Sequence, residues 1–110
     1  MNLEFITQEN KDGILYITIN RPDKMNALNI KLLQEIKQVV DAVQDDKDVR
    51  GILLRGSGEK AFAAGADIAE FQSFSSDEGA RMSRDGHAVM NALENSRIPT
   101  IAAVNGFALG

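Results

Sequence analysis

The chain has no cysteine and no tryptophan, and only one histidine, one tyrosine and two prolines among its 110 residues. Without cysteine there are no disulfides, no thiol nucleophile and no thiolate metal site. This suits a reducing compartment, and a cytoplasmic location is the expectation. A single histidine, His87, cannot build a metal centre from several imidazoles. Positive charge is scarce: 12 Lys and Arg face 16 Asp and Glu, for a net charge of −4. With no basic stripe, neither nucleic acid nor a membrane surface is an expected partner. Long apolar runs are missing too. The most apolar late stretch, residues 98–109, is interrupted by Pro99, Asn105 and Gly106, and it falls far short of the ~20 residues a membrane helix needs. Glu4 breaks up the first residues and no basic segment precedes an apolar one, so no targeting signal is read.

What remains is ordinary for a globular chain, 44% hydrophobic and 25% charged. Its length suffices for one small domain burying roughly two-thirds of its unfolded surface. Residues 3–7 and 14–19 read as strands joined by a turn at residues 10–13, with Asp12-Gly13 a hairpin signal. Residues 20–23 form a loop around Pro22. Residues 29–43 read as a helix capped by Asn29, with Ile30, Leu33, Ile36, Val39, Val40 and Val43 on one face. Residues 49–55 form a nearly continuous apolar strand, expected to be buried on both faces. A short helix over 67–72, a break at 73–76, a helix over 77–95 and a strand over 100–104 follow. In the second helix Met82, Ala88, Val89, Ala92 and Leu93 are expected to face the core. This order implies an α/β fold, a mainly parallel sheet with flanking helices.

The most informative segment is Gly-Glu-Lys-Ala-Phe-Ala-Ala-Gly-Ala-Asp-Ile-Ala-Glu, residues 58–70. Small residues crowd between a strand and a helix start. Such backbone approaches a ligand closely and can aim amide N–H groups at an anion or a developing oxyanion. The bland alternative is a surface turn. A dinucleotide reading of Gly56-Ser57-Gly58-Glu59-Lys60-Ala61 fails because that motif opens directly into a helix, which here waits until about Asp67. No G-x-x-x-x-G-K-[ST] occurs, so a P-loop is not supported.

Three segments, in order, carry a family resemblance. They are Asn20-Arg21-Pro22 with Asn26-Ala27-Leu28, then residues 60–68, then Pro99 through Gly110. Together they resemble the enoyl-CoA hydratase/isomerase (crotonase) family along essentially the whole chain. The resemblance implies the N-terminal half of a ClpP/crotonase spiral core. It implies that the Ala66 N–H is one oxyanion donor. It also implies a coenzyme A path, the coenzyme being carried by the substrate, along Ala27, Leu28, Ala64, Ala66, Asp67 and Ile68. Position 69 is alanine where many relatives carry lysine, so no charged contact is implied there. Met82, Met90 and Phe74 lie where the family shapes its acyl pocket, although core packing explains them equally well.

Hydration of a trans-2-enoyl-CoA to the 3-hydroxyacyl form is the leading implied reaction. Double-bond isomerisation, dehalogenation and hydrolysis stay open on the same scaffold, as does a non-catalytic CoA-binding module. The family's two hydratase glutamates and its second oxyanion glycine would follow Gly110. Residues 1–110 are therefore expected to be the N-terminal part of the domain and inactive alone. Glu35, Glu59, Glu70, Glu78 and Glu94 match neither glutamate and are read as solvated, and His87 as partly exposed. No metal or separate cofactor is expected. An acyl-CoA thioester is the expected ligand, and a homo-oligomer the expected assembly.

Overall fold

The computed structural model describes residues 2–72 and 74–110. Two strands open the chain, β1 (Ile6–Lys11) and β2 (Ile14–Ile19), paired antiparallel. The Asp12-Gly13 turn between them has both residues left-handed, at φ 53° and 86°, the twist a two-residue hairpin needs. The first strand runs further along the chain than the sequence suggests, because the ladder continues to the Lys11–Ile14 pair.

Helix α1 (Ile30–Ala42) begins at Asn29, whose side chain accepts from the Leu32 N–H at 2.8 Å, an N-cap as expected. Strand β3 (Gly51–Gly56) pairs parallel with β2. Beyond β4 (Ala61–Ala63) come the short helix α2 (Ile68–Phe71) and the long helix α3 (Ser76–Glu94). Then β5 (Thr100–Ala103) pairs parallel with β3, and β6 (Phe107–Ala108) pairs with β4. The main sheet has the order β1-β2-β3-β5. The α/β reading with a mainly parallel sheet thus holds.

Strand β2 sets the core. Leu15, Ile17 and Ile19 alternate onto one buried face, where they meet Ile52 of β3 and Leu32, Ile36, Val39 and Val40 of α1. Helix α3 covers α1 through Val89. On α1 Ile36, Val39 and Val40 are buried as expected; Leu32 is fully buried beside them, while Ile30, Leu33 and Val43 are half-buried. Of the β3 interior only Ile52 and Gly56 are fully buried, so the expectation of two covered faces is not met within this chain.

Residues 73–76 were expected to form a break. Ser73 lies outside the described residues, Phe74 and Ser75 stand outside any helix between α2 and α3, and Ser76 is already helical, with Ser75 closing a capping box with Glu78. One further expectation is corrected: Glu35 is not solvated. It is 3% exposed on the buried stripe, and its carboxylate accepts from the N–H groups of Glu4, Phe5 and Ile6, the shortest at 2.8 Å. One side chain thereby anchors the incoming chain to α1. Glu35→Ala leaves those amides without an acceptor and should lower stability by roughly 1–3 kcal/mol. A urea midpoint unchanged from wild type would show the carboxylate to be dispensable, and exposed Glu59→Ala is the near-neutral control.

Candidate active site

The small-residue segment folds as a strand, a turn and a helix start, held from both sides by backbone. Leu28 N–H donates to the Gly65 carbonyl at 2.8 Å, and Asp67 N–H donates to the Leu28 carbonyl at 3.0 Å. This isolated parallel bridge pairs Leu28 with Ala66. Both of its bonds come from the neighbours of Ala66, so the N–H and C=O of Ala66 itself are turned away from Leu28. That N–H meets no acceptor among the described residues, and Ala66 is exposed. The Ala64 N–H, in contrast, is committed to the Met25 carbonyl at 3.1 Å.

Gly65 is what allows the turn. Its φ is +90°, and a Cβ there would stand 2.5 Å from the Gly110 carbonyl oxygen. The chain's last residues therefore run against the loop. Phe107 N–H donates to Lys60 and Leu109 N–H to Ala63. Asn105 secures this approach by donating to the carbonyls of Gly56 and Gly58 and accepting from the Gly56 N–H. The two-residue strand β6 arises from this docking, which no local signal announces.

Asn26 organises the opposite side. It is 1% exposed and left-handed at φ 58°. Its Oδ1 accepts from Arg21 N–H at 2.9 Å, and its Nδ2 donates to the carbonyls of Ser57 at 3.0 Å and Ala61 at 2.9 Å. One amide side chain joins the loop after β2 to the end of β3 and the start of β4. Sequence reading places Asn26 in a motif without giving it this role.

Asp67 occupies the N-cap position of α2 without a full capping hydrogen bond. It accepts instead from Arg21 Nη1 at 2.7 Å, with side-chain exposures of 15% for Arg21 and 17% for Asp67. The Arg21 hydrogen bond holds the Asp67 carboxyl below its ordinary pKa, aided by the guanidinium charge and the nearby Glu70 and Ala69 amides and opposed by desolvation. Folding then favours the ionised form. The stability it contributes is present above the unfolded carboxylate's titration and is lost as pH falls through the lowered folded value. The stability gap between wild type and Asp67→Asn should be flat from neutral down to about pH 5 and narrow below that. Urea titrations across pH test this, and a gap that widened in acid would contradict it.

Glu70 is also not a solvated charge, since its Oε1 accepts from Ile30 N–H at 2.8 Å at the start of α1. Beside these ties lies a cavity of about 320 Å³, lined by Leu28, Leu33, Ala66, Gly79, Met82, Ser83, Gly86, His87 and Met90. Ala66 and Leu28 thus share one cavity wall, and the facing wall is one side of α3. Met82 and Met90 line it as the resemblance implies, whereas Phe74 lines a separate depression with Arg81 and Asp85. His87 is exposed and is the sole titratable group among the lining residues. Asp67 and Ile68 follow Ala66 in the chain but do not line the cavity, and Ile68 is well exposed. Among the described residues no group of three or more metal-ligating side chains occurs, and no helix is long and apolar enough to cross a membrane.

Comparison with known proteins follows the same line. The family model for enoyl-CoA hydratase/isomerase matches residues 9–110. The chain is 42% identical over its whole length to the short-chain-enoyl-CoA hydratase of Clostridium acetobutylicum, covering 42% of that protein. It is 46% identical to the crotonyl-CoA hydratase of Syntrophomonas wolfei, again over its whole length and 42% of the relative. The crystal structure of an enoyl-CoA hydratase from Bacillus anthracis superposes with a TM-score of 0.93 at 30% identity, covering 97% of this chain and 42% of that one. The chain thus spans less than half the length of these relatives. With 102 contiguous residues matching the model (9 through 110) and the fold shared with a solved hydratase, the chain belongs to the enoyl-CoA hydratase/isomerase family.

Proposed function

We propose that this chain forms the oxyanion-hole and coenzyme-binding part of an enoyl-CoA hydratase acting on short trans-2-enoyl-CoA thioesters. The observation that carries the reading is the Leu28–Ala66 bridge, which spends its hydrogen bonds on the neighbours of Ala66 and leaves the Ala66 N–H unengaged beside an apolar cavity. In hydration the oxygen of water bonds to C3 and a proton is delivered to C2. Between those events negative charge gathers on the thioester oxygen. An amide donor fixed in advance stabilises that charge without reorganising.

Ala27, Leu28, Ala64, Ala66, Asp67 and Ile68 would flank the coenzyme, largely through backbone, because the Asp67 carboxylate is already engaged by Arg21. No carboxylate lines the cavity among the described residues. This agrees with acid–base groups supplied by residues that the family resemblance does not match to any position here. The names of the relatives in Clostridium acetobutylicum and Syntrophomonas wolfei favour a short acyl chain, and a cavity of about 320 Å³ leaves room for one. No separate cofactor is needed for this chemistry. The proposed setting is the cytoplasm.

The test is a crotonyl-CoA hydration assay on this chain and on the longest product of its gene. The longer product should hydrate crotonyl-CoA; one that bound it and left the double bond unchanged would overturn the reading.

We also propose self-association. β5 is an edge strand, and Ile101, Val104, Phe107 and Leu109 are exposed around it. Open edges and exposed apolar groups favour pairing. The 110-residue chain should scatter light as dimers or larger species, and Ile101→Lys should shift it toward monomer. A wild-type monomer over a wide concentration range would refute this.

A further inference from the structure

Arg21 has been given only its tie to Asp67, yet its side chain reaches three partners beside the candidate site. Its Nη1 donates to the Asp67 carboxylate at 2.7 Å and to the Ala27 carbonyl at 3.1 Å. The guanidinium carbon lies 5.5 Å from the Phe5 ring centroid, which places the cation over an aromatic face. Its base is equally fixed: Arg21 N–H donates to the Asn26 side chain, and Asn26 N–H donates to the Arg21 carbonyl at 2.8 Å. One planar cation therefore spans two segments that also meet through the Leu28–Ala66 bridge, the Ala64–Met25 and Asn26–Ala61 hydrogen bonds and the Glu70–Ile30 contact.

We propose that Arg21 is a positioning residue: by holding the Ala27 carbonyl and the Asp67 carboxylate together, it fixes the spacing of residues 27–28 and 66–68 and so the aim of the Ala66 N–H. The inference rests on the oxyanion role proposed for Ala66. Between Ala64, held by Met25, and Glu70, held by Ile30, the 66–68 segment is tied to residues 27–28 by the two bridge hydrogen bonds, and the Arg21 contact at Asp67 adds the side-chain restraint nearest to Ala66. Asp67 adjoins Ala66 directly, so a displaced carboxylate moves the donor with it. Misplacement by about 1 Å can cost roughly 10²-fold in rate. Lysine could neutralise Asp67 as a point charge but lacks the flat, rigid guanidinium that lies over Phe5 and so fixes where Nη1 sits between its two acceptors.

The experiment compares Arg21→Met, Arg21→Lys, Asp67→Asn and the Arg21→Met/Asp67→Asn double variant in the longest natural form of the protein. Turnover of crotonyl-CoA is scaled to the folded fraction measured by circular dichroism. Arg21→Met should lower kcat about 10- to 10²-fold with KM little changed, the pattern of an interaction felt in the transition state. Arg21→Lys should recover only part of that loss. The double variant should be no slower than the worse single variant, since both break one unit. Wild-type kcat per folded molecule in Arg21→Met would overturn the proposal, as would fully additive losses in the double variant. An amide-to-ester exchange at Ala66, run in parallel, separates the two readings. A slow ester with a normal Arg21→Met leaves the oxyanion role standing and removes only the positioning role. An ester with wild-type turnover removes both.

Discussion

With the oxyanion role proposed for Ala66, exchanging its peptide N–H for an ester oxygen is expected to slow crotonyl-CoA turnover by roughly 10²- to 10³-fold in the longest natural form of the protein, the usual effect of losing one oxyanion donor. The exchange removes one donor and also makes the Gly65 carbonyl an ester carbonyl, a weaker acceptor for the Leu28 N–H, while the Asp67 N–H to Leu28 bond is unaltered; the folded fraction is therefore measured alongside the rate. Substrate affinity should change little, because the carbonyl carries less charge in the ground state than in the transition state. Side-chain variants complete the picture. Ala66→Gly keeps the N–H and should keep most of the activity. Ala66→Pro removes it and adds a fixed φ, so circular dichroism must accompany the rate measurement. Wild-type turnover in the ester variant would rule Ala66 out as the donor.

Gly65→Ala should be the most damaging single-methyl change in the chain. Alanine is strained at φ +90°, and its Cβ would meet the Gly110 carbonyl oxygen at 2.5 Å, with the Leu109 carbonyl behind it. Backbone strain and overpacking together should lower stability by roughly 2–5 kcal/mol. Relief requires the 61–66 and 107–110 segments to separate, which would break the Leu109–Ala63 hydrogen bond and tilt Ala66. Turnover should therefore fall further than the folded fraction does. A Gly65→Ala protein with wild-type urea midpoint and wild-type rate would show that the segments have slack the structure does not suggest. Gly79→Ala in α3 is the contrasting control for stability, since a Cβ there meets nothing within 4 Å.

Much of the scaffold was legible because its causes are local. The alternation through Ile19, the Asp12-Gly13 turn and the Asn29 cap each act within a few residues, and each appears where the sequence puts it. Ser75 and Glu78 also stand at capping-box spacing, a local signal that reading the serines as a break obscures. The motifs named the segments around Leu28 and Ala66 that the structure brings together. The wiring of the site was not legible, because the partners are distant in sequence. Glu35 serves amides about thirty residues earlier, and Glu70 serves Ile30 forty residues away. On sequence alone both look like ordinary helix-surface charges. Strand β6 is similar: two residues become a strand only by docking on β4. Arg21 and Asp67, 46 residues apart, each fit a motif, but nothing in either motif says that they meet.

Asn26 carries a consequence for the order of folding. Its side chain closes loops of 31 and 35 residues at once, to Ser57 and to Ala61. Closing them costs chain entropy before any contact repays it, which delays such contacts relative to helix formation. α1 and the β1–β2 hairpin can form from neighbouring residues; the bed on which Ala66 rests cannot. A peptide cut to the small-residue segment alone would hold the family's signature and none of its geometry. The signature takes its folded geometry only once chain segments on both sides have closed around it, so the proposed binding surface can be in place no earlier than these long-range contacts.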